Sequence, residues 1–405
     1  MRHNPNYLLR EIAHIPYLLP YGQLIADHRP GVRLNKTGAW LWRQMETNQT
    51  TEGLRSLFVS QFAPSPEELP FLEKDFSQFL HTLQLYHMLE NDPSHTDSLE
   101  HTQAPLSYPS IPPTDAPHTS ICIGGLHIKI IGPREALGDY FHGYESCFDT
   151  TCQTITLRFP ASDTPQLFCS GHMDRTPLLH SRDLVLFDMG DFYLLLFPSM
   201  KYIREAWLAK DASQADIHCV PGLRNPLREE LFHAIRFLFL YLAQKHHRMV
   251  LHSASLLYRR KAWLFSGSSG TGKSTHTNLW HKQFHVPLLN GDLNLLALEN
   301  GKPVIHGLPW CGTSGISQTG TYPLGGIILL KQSQKDFMET LSPDARQLLV
   351  LQRLISPVWT PDQLDACLDF VEALADHIYI ARLHCTQKNT AAETARQEID
   401  AYISP

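Results

Sequence analysis

The chain has no run of 18 apolar residues, the length that a membrane-spanning helix requires. Its N-terminus, "MRHNPNYLLREIAHIPYLL", lacks the apolar core and small-residue cleavage site of a secretory signal. It has no C-x-x-C pair, and no Cys/His cluster has zinc spacing. Eight cysteines lie scattered, with only Cys147 and Cys152 near one another, and they read as reduced thiols of a cytoplasmic protein. A basic excess is also missing. The net charge is −6, whereas a nucleic-acid partner usually leaves a positive footprint. These absences point away from a membrane span, a disulfide scaffold, a structural zinc site and a nucleic-acid partner.

What remains is an ordinary globular composition. Hydrophobic residues make up 43% and charged residues 18% of 405, enough for two or three domains with real cores.

Three segments follow one another. Residues 1–90 begin with "YLLREIAHIPYLLPYG", which suggests two short strands. Asn35 is an N-cap candidate for a helix through "KTGAWLWRQM". Thr51 to Phe62 offers a second helix, with Leu54, Leu57 and Phe58 on one face. Ser65-Pro66-Glu67-Glu68 reads as a capping box opening a third, and Leu72, Phe76, Phe79, Leu80 and Leu83 follow at helical spacing. Strands plus three helices suggest a small α+β module of winged-helix type. Residues 91–120 hold six prolines and five serines and read as an extended linker. Residues 121–404 start with strand-like runs, "ICIGGLHIKIIG", "TITLRF" and "LVLFDMGDFYLLLF". A helix runs from Asn225 to about Lys245, and two further helices open at Ser342-Pro343 and Thr360-Pro361.

The chemistry is concentrated in "LFSGSSGTGKSTHTNLWHKQFHVPLLNGDLN". Gly267, Ser268, Ser269, Gly270, Thr271, Gly272, Lys273 and Ser274 fit G-x-x-x-x-G-K-[ST], between a strand-like "KAWLFSG" and a helix-like "KSTHTNLWHKQF". Glycines let backbone N–H groups turn onto phosphates, and the helix N-terminus, with Thr275 in its first turn, adds its dipole. Lys273 would reach the outer phosphates and Ser274 would ligate Mg²⁺. "HVPLLNGD" is a short strand ending at Asp292, only 19 residues beyond Lys273. If that strand lies parallel and adjacent to the loop strand, Asp292 faces the phosphates and metal from the same sheet edge. His252, in "VLHSASLLYRR", lies on the segment before the loop strand and is a second site candidate. "HGLPWCGTSG", from His306 to Gly315, reads as a loop over the site, in which Trp310 serves equally well as a packing anchor. Cys311 has no obvious base and reads as a bland cysteine.

Together "LHSASLLYRRKAWLFSGSSGTGKSTHTNLW", "LLNGD" and "GLPWCG" resemble the catalytic domain of HPr kinase-like proteins, which share a fold with ATP-dependent phosphoenolpyruvate carboxykinases. The resemblance implies an α/β P-loop kinase domain, ATP and Mg²⁺ as nucleotide and metal, and His252, Lys273, Ser274 and Asp292 in the active site. Family members often carry two acids where this chain has Gly291-Asp292. No basic set for a dicarboxylate is visible, which favours kinase over carboxykinase. Residues 1–90 resemble PqqD-like peptide-recognition modules, on "GVRLNKTGAWLWRQM" and the late helix. That implies a precursor peptide as partner, its leader bound by residues 6–90 as an added strand. The combined expectation is an ATP-dependent kinase of a Ser or Thr hydroxyl on a ribosomally made peptide. A nucleotide-gated peptide carrier and a kinase of a folded protein or small molecule are the alternatives, and a homo-oligomer is left open.

Overall fold

A computed structural model describes residues 2–46, 50–89, 116–148, 150–159, 175–222 and 225–404. Most of the expected linker, residues 91–115, lies outside the described residues. The chain divides into two compact units, Met1–Tyr108 and Pro109–Pro405.

The first unit carries the antiparallel sheet β1-β2-β3, built from β1 (Tyr7–Ile12), β2 (Ile15–Pro20) and, after the short helix α1 (Gln23–Ala26), β3 (Val32–Arg33). The helices α2 (Lys36–Met45), α3 (Thr51–Phe62) and α4 (Leu69–Leu85) follow. Asn35 caps α2 by accepting the Gly38 N–H at 2.7 Å, and Thr50 caps α3 through Gly53 at 3.0 Å. The third helix starts later than the capping box suggests. Ser65–Glu68 forms a turn in which the Ser65 N–H donates to Glu68 Oε2 at 2.9 Å, and the helix begins at Leu69. Tyr7, Leu18, Trp42, Met45, Leu54, Phe58, Phe76 and Leu83 make the core of this unit.

The second unit is mixed α/β with two large sheets. One is eight-stranded, in the order β4-β5-β6-β11-β10-β9-β8-β7. Its strands are β4 (His118–Ile123), β5 (Leu126–Ile131), β6 (Gln153–Arg158), β7 (Leu179–His180), β8 (Val185–Asp188), β9 (Phe192–Leu196), β10 (Ile203–Ala209) and β11 (Gln214–Cys219). The first of them begins at His118, inside the stretch read as linker. The long helix α5 (Asn225–Lys245) comes next, with Leu231, Ile235, Leu238 and Leu242 fully buried.

The second sheet holds the phosphate loop. It contains β12 (Met249–Tyr258), β13 (Lys261–Ser266), β14 (Leu288–Asn290), β15 (Leu293–Glu299), β16 (Lys302–His306), β17 (Thr321–Gln332), β18 (Phe337–Glu339) and β19 (Tyr379–Cys385). Its helices are α6 (Lys273–Phe284), α7 (Pro343–Leu351), α8 (Pro361–Ala375) and α9 (Asn389–Ile403). The main path runs β13-β12-β15-β16-β17-β19-β18, β14 pairs with β12, and a parallel β13–β17 pairing closes the path on itself. Two helices were expected at the C-terminus, and α9 is a third. Its small residues Ala391, Ala392 and Ala395 are fully buried in one cluster with Phe265 and with Trp280 of α6, which fixes the helix that follows the loop.

The β1–β2 hairpin turns through Ala13 and His14, both with positive φ (49° and 65°). A two-residue turn of this twist favours Asn-Gly, because a Cβ in the left-handed region costs about 1–2 kcal/mol. Replacing Ala13→Asn together with His14→Gly should raise the melting temperature of a fragment ending at Tyr108 by several degrees, on the order of 4–8 °C per kcal/mol for a domain this small. An unchanged or lower midpoint by circular dichroism would refute this account of the turn.

Candidate active site

Apart from Lys261, β13 is buried along its length, and it ends at Ser266. The Ser266 hydroxyl donates to the His252 carbonyl at 2.7 Å, pinning the root of the loop to β12. Gly270 and Gly272 then take φ of 78° and 98°, a region that favours glycine. Gly272 is the N-cap of α6 and brings no side-chain cap, so the first-turn N–H groups of Lys273, Ser274 and Thr275 are left for a ligand. Thr271 braces the loop from inside through its hydroxyl to the Ser268 carbonyl at 2.7 Å, and Gln332 of β17 braces it from outside through Gly270 at 3.1 Å. Ser268, Ser269, Gly270, Ser274 and Thr275 are exposed, and Gly267 is buried.

The strand leading to Asp292 is not the neighbour of the loop strand. β14 and β13 lie on either side of β12, each antiparallel to it, with Ser255 opposite Asn290 and Ser253 opposite Ser266. They therefore run parallel to each other with one strand between them. Both C-terminal ends still reach the same edge, where His252 of β12 lies between them. Asn290 shapes the turn into Asp292. Its buried side chain accepts the N–H groups of Asp292 and Leu293 at 3.0 and 3.2 Å and donates to Leu308 O at 2.9 Å.

His252 Nε2 stands 3.1 Å from Asp292 Oδ1, each side chain about one-third exposed at 31% and 34%. The hydrogen bond from His252 holds the Asp292 pKa below the ordinary carboxylate value, helped by the charges of His252, Lys273 and Arg236 against the opposing effect of burial. Burial lowers the Lys273 pKa, Asp292 opposes this, and Arg353 adds to it. Lys273 Nζ lies 3.5 Å from the Gly267 carbonyl, a long contact that leaves the ammonium available to a phosphate.

The loop from His306 to Gly315 packs against this cluster. Trp310 is a packing anchor. It is 3% exposed, its Nε1 donates to Phe232 O of α5 at 2.9 Å, and its ring lies on Phe232, Phe239 and Phe141. Cys311 is half-buried and precedes a short 3₁₀ turn, and its carbonyl accepts the Ser314 hydroxyl at 2.7 Å. Gly312, at φ 61°, comes close enough to Asp292 that a Cβ there would sit 3.0 Å from the Asp292 Cβ and 3.1 Å from its Cγ.

Two cations flank the cluster that the sequence analysis did not find. Arg236, on α5 one turn beyond Phe232, is near enough for its charge to act on Asp292. Arg353, just after α7, has its carbonyl bonded to the His252 N–H at 3.0 Å and its charge acting on Lys273. Both come from distant segments and carry no local motif.

Among the described residues no three His, Cys, Asp or Glu side chains converge as a metal cage. The donor set instead suits a Mg²⁺–nucleotide. An uncapped helix N-terminus, a lysine, an exposed hydroxyl at Ser274 and one ionised carboxylate at Asp292 leave the remaining metal positions to phosphate oxygens and water.

No family model matches the chain, and no curated protein is significantly similar to it. Among solved structures, the HPr(Ser) kinase/phosphatase from Coxiella burnetii is similar over 38% of this chain and 99% of that one, at 11% identity and a TM-score of 0.24. A score that low carries no inference about activity. The chemistry rests on the cluster itself.

Gly291 leaves no room for a second acid beside Asp292. A Cβ on Gly291 would overlap Ser314 Oγ and Cβ. Gly291→Asp should therefore lower the melting temperature by several degrees or more and leave Mg²⁺ affinity no higher, since overpacking a fitted site costs about 1–3 kcal/mol. Unchanged stability together with tighter Mg²⁺ binding by calorimetry would refute the steric account.

Proposed function

We propose that the chain is an ATP-dependent phosphotransferase acting on a Ser or Thr hydroxyl of a ribosomally made precursor peptide. The observation that carries the phosphotransfer reading is the contact between His252 and Asp292 beside Lys273, at the root of an uncapped phosphate loop. The peptide half of the reading rests on the likeness of residues 1–90 to leader-binding modules. It is supported by β3, an edge strand of its sheet, because strand addition needs such an edge.

In this reading the loop N–H groups and Lys273 hold the phosphates of ATP. Mg²⁺, held by Ser274 and Asp292, would neutralise charge on the phosphate oxygens. The acceptor oxygen forms its bond to the γ-phosphorus as the bond to the β-bridging oxygen breaks, and ADP leaves with that electron pair. Asp292 takes the hydroxyl proton. A carboxylate with a depressed pKa stores a proton poorly and passes it on to solvent, while His252, whose Nε2 donates to it at 3.1 Å, orients it. Leader and core are parts of one peptide, so a weak grip on the core suffices once the leader is held.

Mass spectrometry of a precursor peptide encoded beside this chain, after incubation with Mg²⁺ and ATP, should show added phosphate. Lys273→Ala should abolish it. Asp292→Asn should lower kcat by at least about a hundredfold, since a general base is typically worth 10²–10⁴, and His252→Ala should cost less. Because the Asp292 pKa is lowered, its function as base is retained down to below about pH 4 and is lost only as pH falls through the lowered value. Full turnover by a folded Lys273→Ala protein would sink the phosphotransferase reading. A nearly active Asp292→Asn beside a dead His252→Ala would exchange the two roles.

The fragment ending at Tyr108 should bind the leader by itself. A chain beginning at Pro109 should keep ATP binding but lose kcat/KM toward the full-length peptide. Equal kcat/KM with and without the first unit would refute leader recognition.

A further inference from the structure

The segment leading to Asp292 has a neighbour on each side. On one side it pairs with β12. On the other, residues 316–318 run antiparallel to it: Asn290 bridges Ser317, the Gly291 N–H donates to Ile316 O at 3.2 Å, and the Gln318 N–H donates to Leu289 O at 3.0 Å. This second neighbour is tied in turn to the first sheet. Residues 144–146 lie along the edge of β4, with the Cys122 N–H on Tyr144 O at 2.8 Å and the Ser146 N–H on Ser120 O at 3.0 Å. The Tyr144 phenol meets the Ser317 hydroxyl at 2.8 Å.

The direction of each bond in this chain is fixed, because a hydroxyl has one proton to give. Ser317 gives its proton to Leu308 O at 2.7 Å, so the phenol must donate to Ser317 Oγ. Asn290 Nδ2 takes the second lone pair of Leu308 O at 2.9 Å, which turns Asn290 Oδ1 towards the N–H groups of Asp292 and Leu293. Tyr144, Leu308 and Asn290 are 6%, 0% and 1% exposed, which shields the chain from competing water. Burial also pushes the phenol pKa up to about 12, so the donated proton stays in place. A buried chain in which every member is satisfied holds one arrangement, and a misplaced reacting group is costly in rate.

We infer that Tyr144 is a positioning residue: acting through Ser317, Leu308 O and Asn290, it holds the turn that sets Asp292 against His252. The inference rests on the phosphotransferase reading for its consequence in rate, and on the hydrogen bonds alone for its geometry. It makes the first sheet part of the frame of the site, although none of the residues assigned to the reaction lies on that sheet.

Hydrogen exchange of the full chain, read by mass spectrometry, tests the positioning without any substrate. Tyr144→Phe removes the terminal donor and keeps the ring. It should speed exchange about threefold to tenfold, the worth of one hydrogen bond, in a peptide spanning 288–294, and leave peptides from α6 unchanged. Ser317→Ala cuts the same arm one step later and reads it if Tyr144→Phe does not fold. Turnover reads the consequence. In either variant kcat should fall about threefold to tenfold with the KM for ATP within about twofold, because the phosphate loop is untouched. In an Asp292→Asn background neither should lower kcat further. Unchanged exchange at 288–294 in both variants, or faster exchange that leaves kcat as it was, overturns the inference. So does faster exchange throughout α6, which marks general destabilisation, or a loss of kcat that persists at full size in Asp292→Asn. Exchange that changes as expected in a chain whose wild type transfers no phosphate upholds the positioning and overturns the phosphotransferase reading.

Discussion

The site depends on one strand serving two sets of partners. Over its first residues, from Met249 to His252, β12 pairs with β15, and from Ser253 onward it pairs with β13 and β14. His252 occupies the position where the partners change. Its carbonyl accepts the hydroxyl of Ser266, its N–H donates to Arg353 O, and its ring meets Asp292. One residue thus fixes the root of the phosphate loop, the acid and the second cation through three separate groups. A shift of register by one residue would turn the ring to the opposite face and separate all three.

The electrostatics follow from that convergence. Asp292 is held below the ordinary carboxylate value because the hydrogen bond from His252 and the positive charge of Lys273 and Arg236 outweigh its burial. Lys273 stands between opposing influences, since Asp292 favours its charge while burial and Arg353 oppose it.

Much of the local structure was legible in the sequence because it depends on a few adjacent residues. Asn35, Ser342-Pro343 and Thr360-Pro361 each mark a helix start that the structure contains. The loop spacing was equally readable, since its glycines act on their own backbone. Elsewhere local signals fell short. Ser65–Glu68 is a turn instead of a first helical turn: the Glu68 side chain folds back onto the Ser65 N–H, and the helix begins at Leu69 with Pro70 in its first turn. The helix α9 buries a face of small residues, Ala391, Ala392 and Ala395, against β19 and α6, and alanines give little hydrophobic signal in a sequence. β14 was expected beside the loop strand, and β12 came between them because a hairpin closes faster and more locally than a parallel pairing. Arg236 and Arg353 had no local signature at all: the one comes from α5, the other from the turn after α7, and only the fold brings their charges to the loop. Asn290 was hidden for the same reason, as a side chain whose function is to hold the next two N–H groups.

The close approach of Ser314 to Gly291 also ties two positions together. Ser314 occupies the space that a side chain at 291 would need, so an acid there meets a filled position and enters only if both positions are altered together. In any set of chains that share this contact, the pair 291/314 is where covariation should appear.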